Sequence, residues 1–225
     1  MLVYGKNVAK EYLKTNKVRK VFLSNSFKDQ EILSMINNSV EVEYLDKKRL
    51  SKYPKVNQGI ILDVIDFEYS QLDTNASFLV MLDHIEDPHN FGAIIRSSEA
   101  AKVDGIIIPK DRQVMVNDTV LKTSAGTADK VNIIRVTNLT NTIKELKKAG
   151  FWIVGTDMKG QDYSTIDYSG KICIICGNEG HGLSELVKKQ CDFIASIPMK
   201  GTVNSLNASV ATGIILFKAL ESRGN

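Results

Sequence analysis

The sequence contains no long apolar run, and it is poor in cysteine, proline, histidine and tryptophan. None of its apolar segments approaches the roughly 20 residues that a membrane-spanning helix needs, so we expect no membrane span. The first residues do not combine a basic stretch with an apolar one, which argues against an export signal. The three cysteines are an odd number, which favours free thiols in a reducing compartment and predicts a cytoplasmic protein.

The few metal-binding residue types are not arranged as a metal site. Cys173 and Cys176 form a C-x-x-C pair, but they lie inside an apolar segment that is predicted to be a strand. A strand directs the two thiols to opposite faces, so we expect buried side chains rather than a zinc or redox site. His84 and His89 are separated by Pro88 and have no cluster of further ligands. No metal is therefore predicted.

Charge is present in both signs but is unevenly distributed. The net charge is +3, yet residues 1–58 hold 12 Lys and Arg against 6 Asp and Glu. Residues 59–225 hold 17 against 20. A basic segment beside a near-neutral one is compatible with RNA or DNA binding, and equally with an ordinary solvated surface.

The hydrophobic pattern predicts a small and a larger α/β domain, at residues 1–68 and 78–225, joined by a polar linker at 69–77. In the small domain we predict helices at 7–16, 28–37 and 46–52, and strands at 18–23, 40–45 and 59–65. In the larger domain we predict strands at 78–82, 105–108, 131–135, 151–155, 171–176 and 192–197. The helices between and after them are predicted at 91–101, 117–124, 139–149, 183–189 and 207–220. Apolar strands alternating with helices indicate a parallel sheet covered by helices.

Three loops of the larger domain carry residues suited to chemistry. The first, residues 83–96, joins a buried strand to a helix and contains Asn90 and Arg96. An arginine there can hold a phosphate, although the spacing alone favours the simpler interpretation of Asn90 as a helix N-cap and Arg96 as a surface or salt-bridged residue. The second loop, Gly177–Gly182, places three glycines around Glu179. Glu179 could pair with Arg96, orient a substrate, or be a solvated acid in a tight turn.

The third loop covers residues 198–209 and holds Asn204, Ser205 and Asn207 ahead of an apolar helix. Capping of that helix explains one of these side chains but not all three. Dinucleotide and P-loop fingerprints are absent from the glycine-rich loop, and no G-x-S-x-G elbow supports a serine hydrolase. In a parallel sheet, loops that follow the carboxyl ends of strands are where ligands bind.

These three loops resemble, in order and spacing, the three motifs of the SpoU class of SPOUT RNA 2′-O-ribose methyltransferases. The resemblance is carried by Asp87–Gly92 with Arg96, by Gly177–Gly182, and by Ile197–Met199 followed by Ser205–Ala211. More loosely, Tyr4–Val8 and the strand near Gly59 are similar to the substrate-binding domain, related to ribosomal protein L30e, of the 23S rRNA guanosine-2′-O-methyltransferase subgroup.

The resemblance implies a fold, a cofactor and a set of site residues. It implies a deep trefoil knot formed by the C-terminal segment, an L30e-like domain at residues 1–68 that binds the RNA substrate, and a homodimer. It also implies S-adenosyl-L-methionine as the cofactor. The cofactor-binding residues that it implies are Gly177, Gly180, Ile197, Met199, Ser205 and Leu206. The active-site residues that it implies are Asn90, Arg96, Glu179, Ser205 and Asn207.

The activity implied by the resemblance is 2′-O-ribose methylation of a guanosine in 23S rRNA. A ribose hydroxyl must lose its proton as it attacks the methyl group, and the protein supplies its position. Arg96 is better suited to orienting the phosphate and the hydroxyl than to accepting the proton, because its pKa exceeds ~12. The proton acceptor is left open. The alternatives are a tRNA guanosine 2′-O-methyltransferase and a non-catalytic knotted RNA-binding or ribosome-assembly protein.

Overall fold

The computed structural model describes residues 1–15 and 17–224. Asn16, the last residue of the first predicted helix, and Asn225 lie outside the described residues. The chain divides into two compact units, Met1–Glu68 and Tyr69–Asn225. Residues 69–77, the predicted linker, are part of the second unit, where the Ser70 N–H donates to the Ile133 carbonyl at 2.8 Å.

The first unit is a four-stranded sheet with helices. Its strands are β1 (Leu2–Tyr4), β2 (Val18–Ser24), β3 (Glu41–Leu45) and β4 (Ile60–Val64), in the order β1-β4-β2-β3. Its helices are α1 (Lys6–Leu13), α2 (Gln30–Met35) and α3 (Lys47–Leu50), with a 3₁₀ turn at Lys55–Asn57. β2 and β3 are parallel, whereas β4 runs antiparallel to β1 and β2. Alternate residues such as Val21 and Leu23 are buried against Val8 and Ile32 of the helices, which is the period-2 pattern of a one-sided core.

The second unit is a six-stranded, fully parallel sheet. Its strands are β5 (Phe78–Asp83), β6 (Gly105–Pro109), β7 (Ile133–Val136), β8 (Trp152–Asp162), β9 (Ile172–Gly177) and β10 (Phe193–Ser196). Its helices are α4 (Pro88–Ala100), α5 (Asp118–Thr123), α6 (Leu139–Lys148), α7 (Glu185–Lys188) and α8 (Ala208–Ser222), with a 3₁₀ turn at Tyr163–Thr165. The strand order is β10-β8-β9-β5-β6-β7.

Helices cover both faces of this sheet, as the apolar strands predicted. On one face Leu79 and Met81 of β5 share a core with Ile143 and Leu146 of α6. On the other face the Thr212 hydroxyl of α8 donates to the Cys176 sulfur of β9 at 2.9 Å. The α/β class with a parallel, helix-covered sheet is therefore confirmed.

All the predicted strands and helices are present, with two differences. β1 was not predicted, because three residues are too few to show a period. β8 continues seven residues beyond the predicted end at Gly155. Its second half pairs with β10 after a register shift, with Gln161 opposite Ala195. The polar residues of that half carry no apolar signal.

The strand order places a crevice where ligands commonly bind in such sheets. The chain runs outward from β5 through β6 to β7, and then returns to build β8, β9 and β10 on the other side of β5. The carboxyl ends of β5 and β9 are adjacent, and Asp83 is paired with Gly177 in the ladder. The loops that follow these two strands therefore leave the sheet side by side.

Candidate functional site

Three side chains from the three predicted loops meet in one hydrogen-bonded chain. The Asn90 Nδ2 donates to Glu179 Oε1 at 2.7 Å, and the Asn207 Nδ2 donates to Asn90 Oδ1 at 2.8 Å. Asn90 is buried, whereas Glu179 and Asn207 are exposed. Residues separated by 89 and 117 positions are thus brought together.

The direction of these hydrogen bonds is set by α8. The Asn207 Oδ1 caps the helix, accepting from the N–H groups of Ser209 at 2.9 Å and Val210 at 3.4 Å. Its amide nitrogen must therefore face Asn90, whose oxygen accepts and whose own nitrogen donates to Glu179. The chain of donors ends on a carboxylate, which has no hydrogen to return. Each amide in this chain consequently has a defined orientation.

The cap of α4 differs from the sequence-based alternative. Asp87, not Asn90, is the N-cap, because its carboxylate accepts the His89 N–H at 2.9 Å. Pro88 follows as the first helical residue, where its missing N–H costs nothing. Asn90 is thereby free to direct its amide to the crevice. The alternative of Asn90 as an N-cap is wrong.

The loop that carries Glu179 is a tight, self-bonded turn. Asn178 and Gly182 exchange backbone hydrogen bonds of 3.0 and 2.9 Å, and the Asn178 side-chain oxygen accepts the Gly180 N–H at 2.9 Å. A Cβ at position 177 would lie 2.2 Å from the Gly182 carbonyl carbon. Glycine is required at 177 by this close return of the loop. The turn thus presents Glu179 between two constrained glycines.

Arg96 is not part of this hydrogen-bonded chain. Its side chain is exposed on α4 and forms no hydrogen bond or ion pair within residues 1–15 and 17–224. The predicted alternative of a Glu179–Arg96 pair is therefore wrong, since Glu179 bonds Asn90 instead. Six residues along a helix turn the side chain by about 240°, away from the face that carries Asn90. Its guanidinium is left available to a ligand.

The other predicted residues lie in the segment between β10 and α8. Residues 197–207 form no helix or strand. Ile197, Met199 and Leu206 are half-buried, and Ser205 is exposed. Among the described residues, no backbone hydrogen bond links 198–206 to the rest of the chain. The segment therefore offers partly covered apolar side chains together with unused backbone donors and acceptors, which is the usual composition of a small-molecule site.

Two further residues at this crevice were not singled out by sequence reasoning. Asp83 ends β5 and is only 1% exposed, and its carboxylate accepts the Ser184 N–H at 2.7 Å. Asn178 donates through Nδ2 to the His84 carbonyl at 2.7 Å. An acid that directly ends a buried apolar strand was the available signal for Asp83. Asn178 gave no signal, because a loop asparagine is ordinarily read as a turn residue.

Elsewhere in the described chain, a cavity of about 950 Å³ lies on the first unit, and a second of about 500 Å³ surrounds Arg223 at the amino ends of β5 and β9. Arg223 is occupied in binding the Gly170 carbonyl at 2.6 Å and the Ser77 hydroxyl at 2.8 Å. The described residues include no group of three or more His, Cys, Asp or Glu side chains that could hold a metal ion. Within the same residues no helix has the length and apolarity to cross a bilayer.

Comparison with known proteins identifies a family. The model of the SpoU rRNA Methylase family matches residues 77–217. A protein of Staphylococcus saprophyticus assigned to the TrmH family of tRNA/rRNA methyltransferases is 38% identical, with 99% of this chain and 96% of that protein covered. The AdoMet-bound rRNA methyltransferase of Sinorhizobium meliloti has a TM-score of 0.74 at 26% identity, over 98% of this chain and 86% of its own. The A. aeolicus TrmH/SpoU tRNA modifying enzyme has a TM-score of 0.61 at 31% identity, over 65% of this chain and 75% of its own.

Proposed function

We propose that this protein, which belongs to the SpoU rRNA methylase family, methylates the ribose 2′-hydroxyl of a guanosine in 23S rRNA from S-adenosylmethionine. The observation that carries the proposal is the hydrogen-bonded chain Asn207–Asn90–Glu179. It joins the three motifs at the carboxyl edge of the parallel sheet, beside the crevice between β5 and β9. A protein that only bound RNA would have no need of a carboxylate held this way.

The cofactor is S-adenosylmethionine, and the residues of the crevice fit it. Ile197, Met199 and Leu206 offer apolar contacts for the adenine, and residues 198–206 have backbone groups free to bind the purine edge and the ribose. Gly177, Gly180 and Ser205 would contribute to the same cofactor site. When bound, the cofactor supplies the electrophilic methyl group.

The chain's own residues would position the acceptor ribose. Glu179 has one oxygen occupied by Asn90, which leaves Oε2 available to accept a hydrogen bond from the 2′-hydroxyl. Arg96, exposed and unpaired among the described residues, would hold the adjacent phosphate. Asn207 would hold Asn90 in the orientation that Glu179 requires. Orientation of this kind lowers the barrier by fixing the attacking oxygen in line with the methyl group.

The first unit supports an RNA-binding role, as expected for an L30e-like substrate domain. Its cavity is lined by Lys6, Lys28 and Lys47 together with the ring of Phe27. Lys6 pairs with Asp29 at 2.9 Å, whereas Lys28 and Lys47 have no acidic partner in the part of the chain that the structure describes. Unpaired cations beside an aromatic ring suit phosphates and an unstacked base.

The share of this chain that aligns with each solved enzyme favours rRNA over tRNA as the substrate. The rRNA methyltransferase of S. meliloti aligns with 98% of this chain, which includes the first unit. The tRNA modifying enzyme aligns with only 65% of it. Unmodified 23S rRNA and unmodified tRNA, offered together at equal concentration with labelled S-adenosylmethionine, would test the choice. Incorporation into tRNA alone would overturn the rRNA substrate, and absence of incorporation despite cofactor binding would favour the non-catalytic alternative.

A homodimer is part of the proposal, and an exposed apolar stripe on α8 supports it. Val210 and Phe217 are 49% and 46% exposed and are seven residues apart, so they lie on the same side of the helix. A second copy of the chain would cover them. Phe217→Asp should convert the dimer to a monomer in light scattering. Leu186→Asp, which changes an apolar side chain on α7 that is 70% exposed, should not. A Phe217→Asp chain that stays dimeric would contradict this interface.

The C-terminal trefoil knot is likewise proposed. β10 lies at the edge of the sheet beyond β8, yet Asn207, eleven residues after Ser196, bonds Asn90 at the β5–β9 crevice. The segment 197–207 therefore returns past β8 and β9 before α8 packs against α4. This return supports a threaded C-terminus.

A further inference from the structure

We propose that Asp83 is a positioning residue for the cofactor loop, and that it acts together with Asn178 as a two-point clamp on residues 177–184. The inference rests on the proposed function, since it assigns a role within the same site. Neither residue is placed to touch the reacting atoms. Their effect would be exerted through the loop that carries Glu179.

The first point of the clamp is the Asp83 carboxylate. Asp83 pairs with Gly177 across the β5–β9 ladder, so it lies beside the residue where the loop leaves the sheet. Its Oδ2 accepts the Ser184 N–H at 2.7 Å, at the residue where the loop ends. One buried carboxylate thus holds the end of the loop next to its beginning. Because the Asp83 side chain is only 1% exposed, its carboxylate depends on protein donors such as this N–H rather than on water.

The second point of the clamp is the Asn178 side chain, which bonds the backbone carbonyl of His84. The Asn178 Nδ2 donates to the His84 carbonyl at 2.7 Å, and its oxygen accepts the N–H groups of Gly180 at 2.9 Å and His181 at 3.3 Å. His84 has φ 64°, a left-handed conformation that a non-glycine residue rarely adopts. Such a conformation persists only when the surroundings hold it.

Asp83 also holds His84. The His84 Nδ1 lies 2.6 Å from Asp83 Oδ1, so the two oxygens of one carboxylate serve the two loops. The left-handed turn at His84 is what directs its carbonyl to Asn178. The two points of the clamp are therefore coupled, and Glu179 lies between them. Loss of either point would release Glu179 from Asn90 and widen the crevice edge at Gly177.

The test compares variants of the full chain for S-adenosylmethionine affinity by calorimetry. Asp83→Leu replaces both acceptor oxygens by methyl groups on the same branched skeleton, and Asn178→Ala removes the second point of the clamp. Each should weaken binding by roughly tenfold or more. Asp83→Asn should stay within about threefold of wild type, because its oxygen can still accept the Ser184 N–H and its amide can face His84. Asn138→Ala removes a comparable asparagine cap from α6 and should leave the affinity unchanged.

Hydrogen exchange of residues 177–185 is the second readout. The loop amides should lose protection in Asn178→Ala while those of β9 keep it. This variant keeps the test decisive if Asp83→Leu does not fold. Wild-type affinity in Asn178→Ala would overturn the clamp, as would an Asp83→Asn chain as impaired as Asp83→Leu. Failure of the wild-type chain to bind S-adenosylmethionine would instead refute the proposed function.

Discussion

Replacing Asn207 by aspartate separates the two tasks of that side chain. Aspartate keeps an oxygen for the N–H groups of Ser209 and Val210, so the cap of α8 survives, and a negative charge there favours the helix dipole by about 0.3–1 kcal/mol. What it loses is the hydrogen that Asn207 donates to Asn90 at 2.8 Å. If Asn90 turns its amide to satisfy the new carboxylate, it presents an oxygen to Glu179.

In both arrangements the series Asn207–Asn90–Glu179 loses one hydrogen bond. The Asn90 side-chain oxygen then faces a carboxylate, either that of the new aspartate or that of Glu179. A bond to a charged group contributes about 1.5–3 kcal/mol, but Glu179 and Asn207 are exposed, so water compensates for most of the loss. We expect the net destabilisation to stay below about 1–2 kcal/mol, a fall of a few degrees in Tm. The rate should suffer more, because Glu179 loses its fixed orientation. We expect kcat to fall by about 10–100-fold.

Asn138→Asp is the matched control. Asn138 caps α6 by accepting the Asn141 N–H at 3.0 Å, and it lies outside the crevice. The same chemical change there should leave kcat and Tm close to wild type. Methyl-transfer kinetics and thermal unfolding of both variants would be compared with the parent chain. Wild-type kcat in Asn207→Asp would refute the idea that the amide chain orients Glu179.

Three further predictions concern other parts of the chain. Arg96→Ala should abolish methyl transfer yet keep S-adenosylmethionine affinity within about threefold, since Arg96 is assigned to RNA; wild-type turnover would remove that role. Lys28→Ala should weaken RNA binding and reduce the slope of log K against log salt by about 0.7, the value for one contact to a single strand. Lys14→Ala, directly after the C-terminal end of α1, should change neither, and equal effects of the two variants would exclude the cavity as the RNA site. Burial raises the pKa of the Cys176 thiol to about 11 and also raises the pKa of the Cys173 thiol, so both stay protonated at pH 8. Iodoacetamide should therefore label neither thiol in the folded chain, and rapid labelling would contradict their burial.

The sheet of the second unit was accessible to sequence reasoning because its strands are buried on both faces. Phe78–Asp83 and Ile172–Gly177 are almost continuously apolar, which only a covered parallel sheet explains. The extension of β8 to Asp162 was not accessible. Its polar residues pair only at the edge of the sheet and follow no alternation.

The site was accessible only in part. The sequences of the three loops indicated which residue types form the site. Because each loop follows a strand, their positions also predicted that they meet at the carboxyl edge of the sheet. The partners of each side chain depended on details that spacing does not encode. Asp87 is the N-cap of α4, a position that Asn90 could also have filled. Arg96 lies on a different face of α4 from Asn90, which is the residue that bonds Glu179. The role of Asp83 required knowledge that Ser184 returns to the start of its own loop.

The identity of the methylated nucleoside would decide the activity of this protein. Unmodified 23S rRNA would be incubated with the chain and S-adenosylmethionine, digested, and analysed by mass spectrometry, with the position mapped by primer extension. We expect one 2′-O-methylguanosine at a single position, and none when the Arg96→Ala variant replaces the parent chain. Methylation on a base, or 23S rRNA left unmethylated by a chain that binds the cofactor, would contradict it.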